Sequence, residues 1–321
     1  MATACSGDRT ALARLLSIVE QGGELAREAG RVAWPLGGRA YTVGITGAPG
    51  AGKSTLTDAL IGVIRASGAE VAVLAIDPSS PFTGGAVLGD RVRMSRHFLD
   101  PGVFIRSMAT RGHLGGLSGA APLAVRTLDA AGFPWILLET VGVGQVEVEI
   151  AAEADTTVVV VNPGWGDAVQ ASKAGLMEIA DIFVVNKADR AGVAETLADL
   201  EGIVGLSRGR DEWRPPVQAT TATEGTGVDA LWRAVGEHRA MLARGGELTR
   251  RRDDRMRTEL QRIVRRHIEH RVAELARQGR FATVTDEVIA RRLDPYTAAR
   301  AVVDAALASE HGDGPPGTTA G

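Results

Sequence analysis

At 321 residues and 45% hydrophobic content the chain can bury a sizeable core in one large α/β domain plus extensions, and with aromatics at only 4% that core must come mostly from Ala, Val, Leu and Ile. A formal net charge of −3 gives no reason to expect nucleic acid or membrane as a partner. The single cysteine, Cys5, excludes an internal disulfide and a cysteine metal cluster; with no signal-peptide layout and no apolar run near the roughly 18 residues of a membrane span, a cytoplasmic protein is expected.

Residues 1–8 read as disordered, and residues 9–33 carry an apolar stripe (Leu12, Leu15, Leu16, Ile18, Val19, Leu25) at helical spacing. Tyr41–Thr46 reads as a strand, Ser54–Ser67 as a helix and Glu70–Ile76 as a second strand. Further strands are expected at Val103–Ser107, Trp135–Glu139, Asp155–Val161, Asp181–Asn186 and Pro216–Thr220. Helical stretches near 115–131, 168–179 and 191–206 lie between them. The near-continuous apolar runs suit strands covered on both faces. The alternation predicts a doubly wound α/β fold with a mostly parallel sheet.

After about residue 245 the strand signal stops, and Arg-rich helices are expected at 248–278 and 284–308. The predicted organisation is a helical extension (1–38), a nucleotide-binding domain (39–244), a helical arm that self-associates (245–310) and a disordered Gly/Pro/Thr-rich tail (311–321).

Of 36 basic residues only three are lysines: Lys53, Lys173 and Lys187. Where arginine dominates so strongly, a lysine marks a place that needs a compact ammonium and not a planar fork. Lys53 closes Gly47-Ala48-Pro49-Gly50-Ala51-Gly52-Lys53-Ser54, a full phosphate-loop pattern between a strand and a helix. Such glycines let backbone N–H groups turn toward phosphate oxygens. Lys53 is expected on the β- and γ-phosphates and the Ser54 hydroxyl on Mg²⁺, with Thr55 completing the phosphate-binding set.

Lys187 lies in Asn186-Lys187-Ala188-Asp189 at the end of the sixth expected strand. A carboxylate at Asp189 accepts two hydrogen bonds from N1 and the exocyclic amine of guanine, a donor pair that adenine lacks. Asn186 is expected to tie loops together and Lys187 to lie along the purine face. Thr221 and Ala222 are expected to offer a backbone N–H to guanine O6. The set predicts GTP and GDP over ATP.

Three acids are candidates for the metal and the γ-phosphate: Asp77 at the end of the second strand, Asp90 in Leu88-Gly89-Asp90-Arg91, and Glu139 in Glu139-Thr140-Val141-Gly142. Glu139 stands where a D-x-x-G motif has its Asp, and Gly142 would offer its N–H to the γ-phosphate. The expected catalytic set is Lys53, Asp77, Asp90, Glu139 and Gly142; the metal set is Ser54, Asp77, Asp90 and Glu139. Many small GTPases place Gln after that glycine, whereas Val143 follows here. Slow intrinsic hydrolysis, accelerated by a partner, is therefore expected.

The phosphate loop, Ile76-Asp77-Pro78-Ser79-Ser80, Gly89-Asp90-Arg91-Val92-Arg93-Met94, Glu139-Thr140-Val141-Gly142-Val143-Gly144-Gln145 and Asn186-Lys187-Ala188-Asp189 occur in this order. Together they resemble the MeaB/ArgK family of methylmalonyl-CoA mutase-associated GTPases, over roughly residues 10–310. The resemblance implies a homodimeric P-loop GTPase that chaperones an adenosylcobalamin-dependent acyl-CoA mutase, gating cofactor loading and protecting or reactivating the mutase. It also implies that a segment here at 162–173, containing Lys173, speaks to the mutase, and that the C-terminal helices dimerise. Arg111 and His113 depart from the family's usual Ser- and Pro-rich stretch, which leaves the choice of mutase open.

Two alternatives belong to other classes. A nucleotide-dependent metallochaperone would need Cys or His ligands, and only His267 and His270 lie close in sequence. A protein or amino-acid kinase, the reading behind the ArgK name, is opposed by the guanine-selective Asp189.

Overall fold

The computed structural model describes residues 2–5, 7–77, 94–109, 120–140, 151–164, 178–207, 213–277 and 280–308. The chain divides into two compact units, Met1–Arg252 and Asp253–Gly321.

The first unit is built on a sheet of seven parallel strands among the described residues, in the order β3-β2-β4-β1-β5-β6-β7. The strands are β1 (Tyr41–Gly47), β2 (Val71–Asp77), β3 (Val103–Ala109), β4 (Trp135–Thr140), β5 (Thr156–Val161), β6 (Ile182–Asn186) and β7 (Val217–Thr220). The helices are α1 (Ala2–Cys5), α2 (Arg9–Gln21), α3 (Gly23–Ala33), α4 (Lys53–Ala66), α5 (Ala120–Ala130), α6 (Val193–Ser207) and α7 (Val228–Arg244), with α8 (Glu247–Arg277) beginning in this unit.

Alternate residues of each strand feed opposite faces. Val43, Ile45, Val73, Val158, Val160, Ile182 and Val184 pack on one side with Leu56, Leu60 and Ile64 of α4 and Leu231 and Val235 of α7. On the other face Ala72, Leu74, Ile76, Ile136 and Leu138 meet Leu12, Leu16 and Val19 of α2 and Leu128 of α5. Val159, Val161, Phe183 and Val185 meet Leu200 of α6 there as a further cluster. Burial on both faces is why β5 reads Thr-Thr-Val-Val-Val-Val with every residue buried. Each such Val or Ile contributes roughly 1.5–3 kcal/mol when fully buried.

The strand and helix expectations for this unit hold to within a few residues. Two differ. Ala2–Cys5 is a helix with Ala4 buried, so the start of the chain is not structureless: Asp8 Oδ1 caps the following helix through the N–H groups of Thr10 and Ala11 at 2.8 and 2.9 Å. The helix expected near 168–179 lies almost wholly outside the described residues.

In the second unit α8 continues to Arg277, and the stretch expected as one helix is two, α9 (Arg280–Ile289) and α10 (Pro295–Ala308). The break is local chemistry. Arg291 takes φ 57°, and Asp294 Oδ1 caps the next helix by accepting from Tyr296 and Thr297 N–H at 3.0 Å, with Pro295 at the first helical position. Leu260, Ile263 and Val264 of α8 are exposed. The tail after residue 308 lies outside the described residues. Among the described residues no helix is long and apolar enough to cross a membrane.

Candidate nucleotide site

The site stands at the C-terminal ends of the parallel strands, where ligands bind in open α/β sheets. β1 delivers Gly47, and the loop runs through Ala48, Pro49, Gly50 and Ala51 to Gly52, with Lys53, Ser54 and Thr55 opening α4. Gly47 has φ 132°, and a Cβ there would run into the Val160 carbonyl of the neighbouring strand. Gly52 has φ 86°, and a Cβ there would press on the Asn186 amide. Sterics and handedness therefore both demand glycine at these two corners.

Lys53 is buried, and its Nζ donates to the carbonyls of Gly47 at 2.7 Å and Ala48 at 3.1 Å. The ammonium is thus held inside the curve of the loop. Beside it the Ser54 hydroxyl donates to Glu139 Oε1 at 2.5 Å, and Glu139 is only 1% exposed. Glu139 reaches this place through sheet register: β4 lies between β1 and β2, and Glu139 pairs with Ile45 and Ala75. A buried hydroxyl and a buried carboxylate meeting at the mouth of a phosphate loop are the hard oxygen donors that suit a magnesium ion.

The second loop is tied to the first. Asn186 Nδ2 donates to the Ala51 carbonyl at 2.8 Å, while its Oδ1 accepts from Thr220 Oγ1 at 3.1 Å and from the Ala222 N–H at 3.2 Å. One buried amide so joins the phosphate loop, β6 and the turn after β7. Lys187 takes φ 62°, rare for a residue with a side chain, and its Nζ donates to the Gly50 carbonyl at 2.5 Å. Asp189 is exposed in the turn closed by the Arg190 N–H on the Lys187 carbonyl. The N–H groups expected to meet guanine O6 are engaged inside the protein: Thr221 donates to the Thr226 carbonyl at 3.0 Å within its own turn, and Ala222 donates to Asn186 Oδ1 at the end of β6.

Of the other expected residues, Asp77 ends β2 in register with Ala109, and its side chain lies outside the described residues. Asp90 and Gly142 lie outside them as well, as do Val143, Arg111, His113 and Lys173. The structure therefore brings together Gly47 to Thr55, Glu139 and Asn186 to Asp189. Sequence reasoning missed Thr220, which holds Asn186 in place. A buried Thr at the end of a short strand carries no motif; only its neighbour in space reveals its use.

A parallel doubly wound sheet, a phosphate loop after its central β1 and a guanine-type loop bonded to it define a P-loop GTPase. The chain belongs to the family described as methylmalonyl Co-A mutase-associated GTPase MeaB, which matches residues 12–277. It is 53% identical over 296 residues to a Pyrococcus abyssi protein named only provisionally as a GTPase, covering 91% of each chain. It is 32% identical over 317 residues to the Caenorhabditis elegans methylmalonic aciduria type A homolog, mitochondrial, covering 90% of this chain and 79% of that one. The crystal structure of a LAO/AO transport system kinase superposes with a TM-score of 0.70 at 27% identity, covering 94% of this chain and 95% of that one.

Proposed function

We propose that this GTPase cycles between GTP and GDP to chaperone an adenosylcobalamin-dependent acyl-CoA mutase, gating cofactor loading and protecting or reactivating the mutase. The observation that carries the reading is the family match over residues 12–277, whose description names methylmalonyl-CoA mutase, together with intact phosphate and guanine loops in the same chain. The relative named for methylmalonic aciduria points the same way.

In this reading the loop N–H groups and Lys53 hold the phosphates, and Asp189 selects guanine. The Ser54 hydroxyl and Glu139, with Asp77 and Asp90, hold Mg²⁺, which when bound would neutralise charge on the β- and γ-phosphates. Gly142 offers an N–H to the γ-phosphate. Val143, standing where many small GTPases have Gln, leaves fast turnover to a partner. The exposed Leu260, Ile263 and Val264, at i, i+3 and i+4 on α8, support a homodimer through the helical arm. The proposed location is the cytoplasm.

The test is turnover of GTP and ATP by the purified chain, alone and with candidate acyl-CoA mutases, joined to pull-downs with a GTP analogue and with GDP. A mutase that binds in a nucleotide-dependent way and raises GTP turnover is the expected result. ATP turnover exceeding GTP turnover would remove the guanine reading and favour a kinase. GTP turnover that no acyl-CoA mutase binds or alters would remove the chaperone reading alone.

A further inference from the structure

The root of α8 is held by charge more than by packing. Its opening residues, Glu247 to Arg252, include one apolar side chain, Leu248, which is partly buried against the core. Arg252 Nε donates to Asp155 Oδ1 at 3.1 Å and its Nη2 to Asp155 Oδ2 at 2.6 Å. The same fork reaches the approach to β1, Nη1 donating to the Gly38 carbonyl at 3.2 Å and Nη2 to the Ala40 carbonyl at 2.7 Å. Beside it Arg251 Nη1 donates to Asp181 Oδ1 at 3.2 Å. Asp155 and Asp181 directly precede β5 and β6, and each also accepts a strand N–H: Thr42 donates to Asp155 Oδ2 at 3.0 Å and Thr157 to Asp181 Oδ2 at 2.9 Å.

The Asp155 side chain is only 1% exposed, so water cannot readily replace the guanidinium that serves it. Burial by itself would lower the Arg252 pKa, and the bonds to Asp155 outweigh it and hold the guanidinium above its ordinary value. A lysine could not do this work, because a single ammonium cannot span two carboxylate oxygens and two carbonyls as a planar fork does. The link to the preceding helix is short and bare. α7 ends at Arg244, α8 begins at Glu247, and Gly245 and Gly246 alone join them. Gly246 has φ 69° and open space where a Cβ would stand. Gly245 has φ −88°, and a Cβ there would meet only the Met241 carbonyl, at 3.9 Å. Two adjacent glycines in open space give this joint the widest backbone freedom a chain can have.

We propose that Gly245 and Gly246 form a hinge for the opening turns of α8, and that the Arg252–Asp155 pair, seconded by Arg251 and Asp181, is the ionic latch that keeps it shut. Leu248 alone adds apolar contact, so loss of the pair frees the helix root. The latch stands where β1 and β5 begin, whereas the phosphate loop leaves the far end of β1. Opening it therefore leaves nucleotide binding in place, and the device does not depend on which partner the protein serves.

The experiment is amide hydrogen exchange of the full-length chain and of Arg252→Lys, Asp155→Asn and the double variant, with GDP affinity measured by calorimetry in parallel. Each single variant should lower protection of the α8 amides at 250–256 by about tenfold or more, with GDP affinity held within about twofold. The double variant should lose no more than the worse single one, because the two side chains act as one pair. Gly245→Ala added to Arg252→Lys should recover about threefold or more of that protection, since alanine fits the native φ and narrows the joint. Unchanged protection in both single variants overturns the latch, as does a loss spread evenly over β1 and β5 with GDP affinity falling alongside. Absence of recovery with Gly245→Ala overturns the hinge. If Asp155→Asn does not fold, Leu248→Ala decides in its place: it should loosen 250–256 less than Arg252→Lys does, and equal loosening would mean that packing holds the helix.

Discussion

The Ser54 hydroxyl donates to Glu139 Oε1 at 2.5 Å, although the two residues are 85 apart in sequence. One opens α4 and the other sits in β4, and parallel register alone brings them together. Both are buried, so neither has bulk water as an easy alternative partner.

Replacing Glu139 with Gln keeps the shape and removes the charge. GTP turnover and apparent Mg²⁺ affinity should fall roughly tenfold to a hundredfold, the usual cost of a lost oriented group at a metal site. Steady-state hydrolysis across a magnesium titration reads this. Unchanged magnesium dependence would take Glu139 out of the metal set.

Lys53→Arg retains the charge and changes its shape. A planar fork cannot take the place of an Nζ that donates to both the Gly47 and Ala48 carbonyls. GDP affinity, measured by calorimetry, should drop by at least about tenfold, with the melting temperature nearly unchanged.

Asp189→Ala should erase discrimination more than folding, because the carboxylate is exposed and its loop is held by Asn186. Competition between GDP and ADP reads the effect. Preference for guanine should fall on the order of a hundredfold or more, since a site that hydrogen-bonds a polar group strongly rejects analogues lacking it.

The Tyr41 phenol, raised to about 12 chiefly by burial, makes an alkaline prediction. A folded value above the unfolded value of about 10 stabilises the fold below that pH, and the contribution is lost as pH rises from about 10 to 12. The chain has two tyrosines, and Tyr296 is 88% exposed. Phenolate absorbance should therefore show a late step that Tyr41→Phe removes, with alkaline unfolding in the same window.

The sheet was legible in the sequence because each strand is a short apolar run bounded by polar or turn residues, and burial on both faces leaves that pattern no other use. The phosphate loop and Asn186 to Asp189 were legible because glycines and a fixed spacing are demanded by backbone contact with a ligand. The helix at Ala2–Cys5 was not, since only contacts from distant α5 and α2 give so short a helix a reason to form. The break between α9 and α10 was marked by Asp294-Pro295, a capping residue and a first-turn proline lying inside a helical period.

By itself the sequence determined the class of fold, the phosphate-loop and guanine-loop motifs, and the rarity of lysine where arginine would serve. Tertiary structure decided which residues share a charge or a proton. It set Glu139 on Ser54, bound Lys187 to Gly50 and Asn186 to Ala51, and buried His238 between Thr156 and Asp181. The physical reason is separation along the chain. Local spacing reports the conformation of neighbouring residues, whereas these contacts join strands and helices whose register only the packed sheet defines.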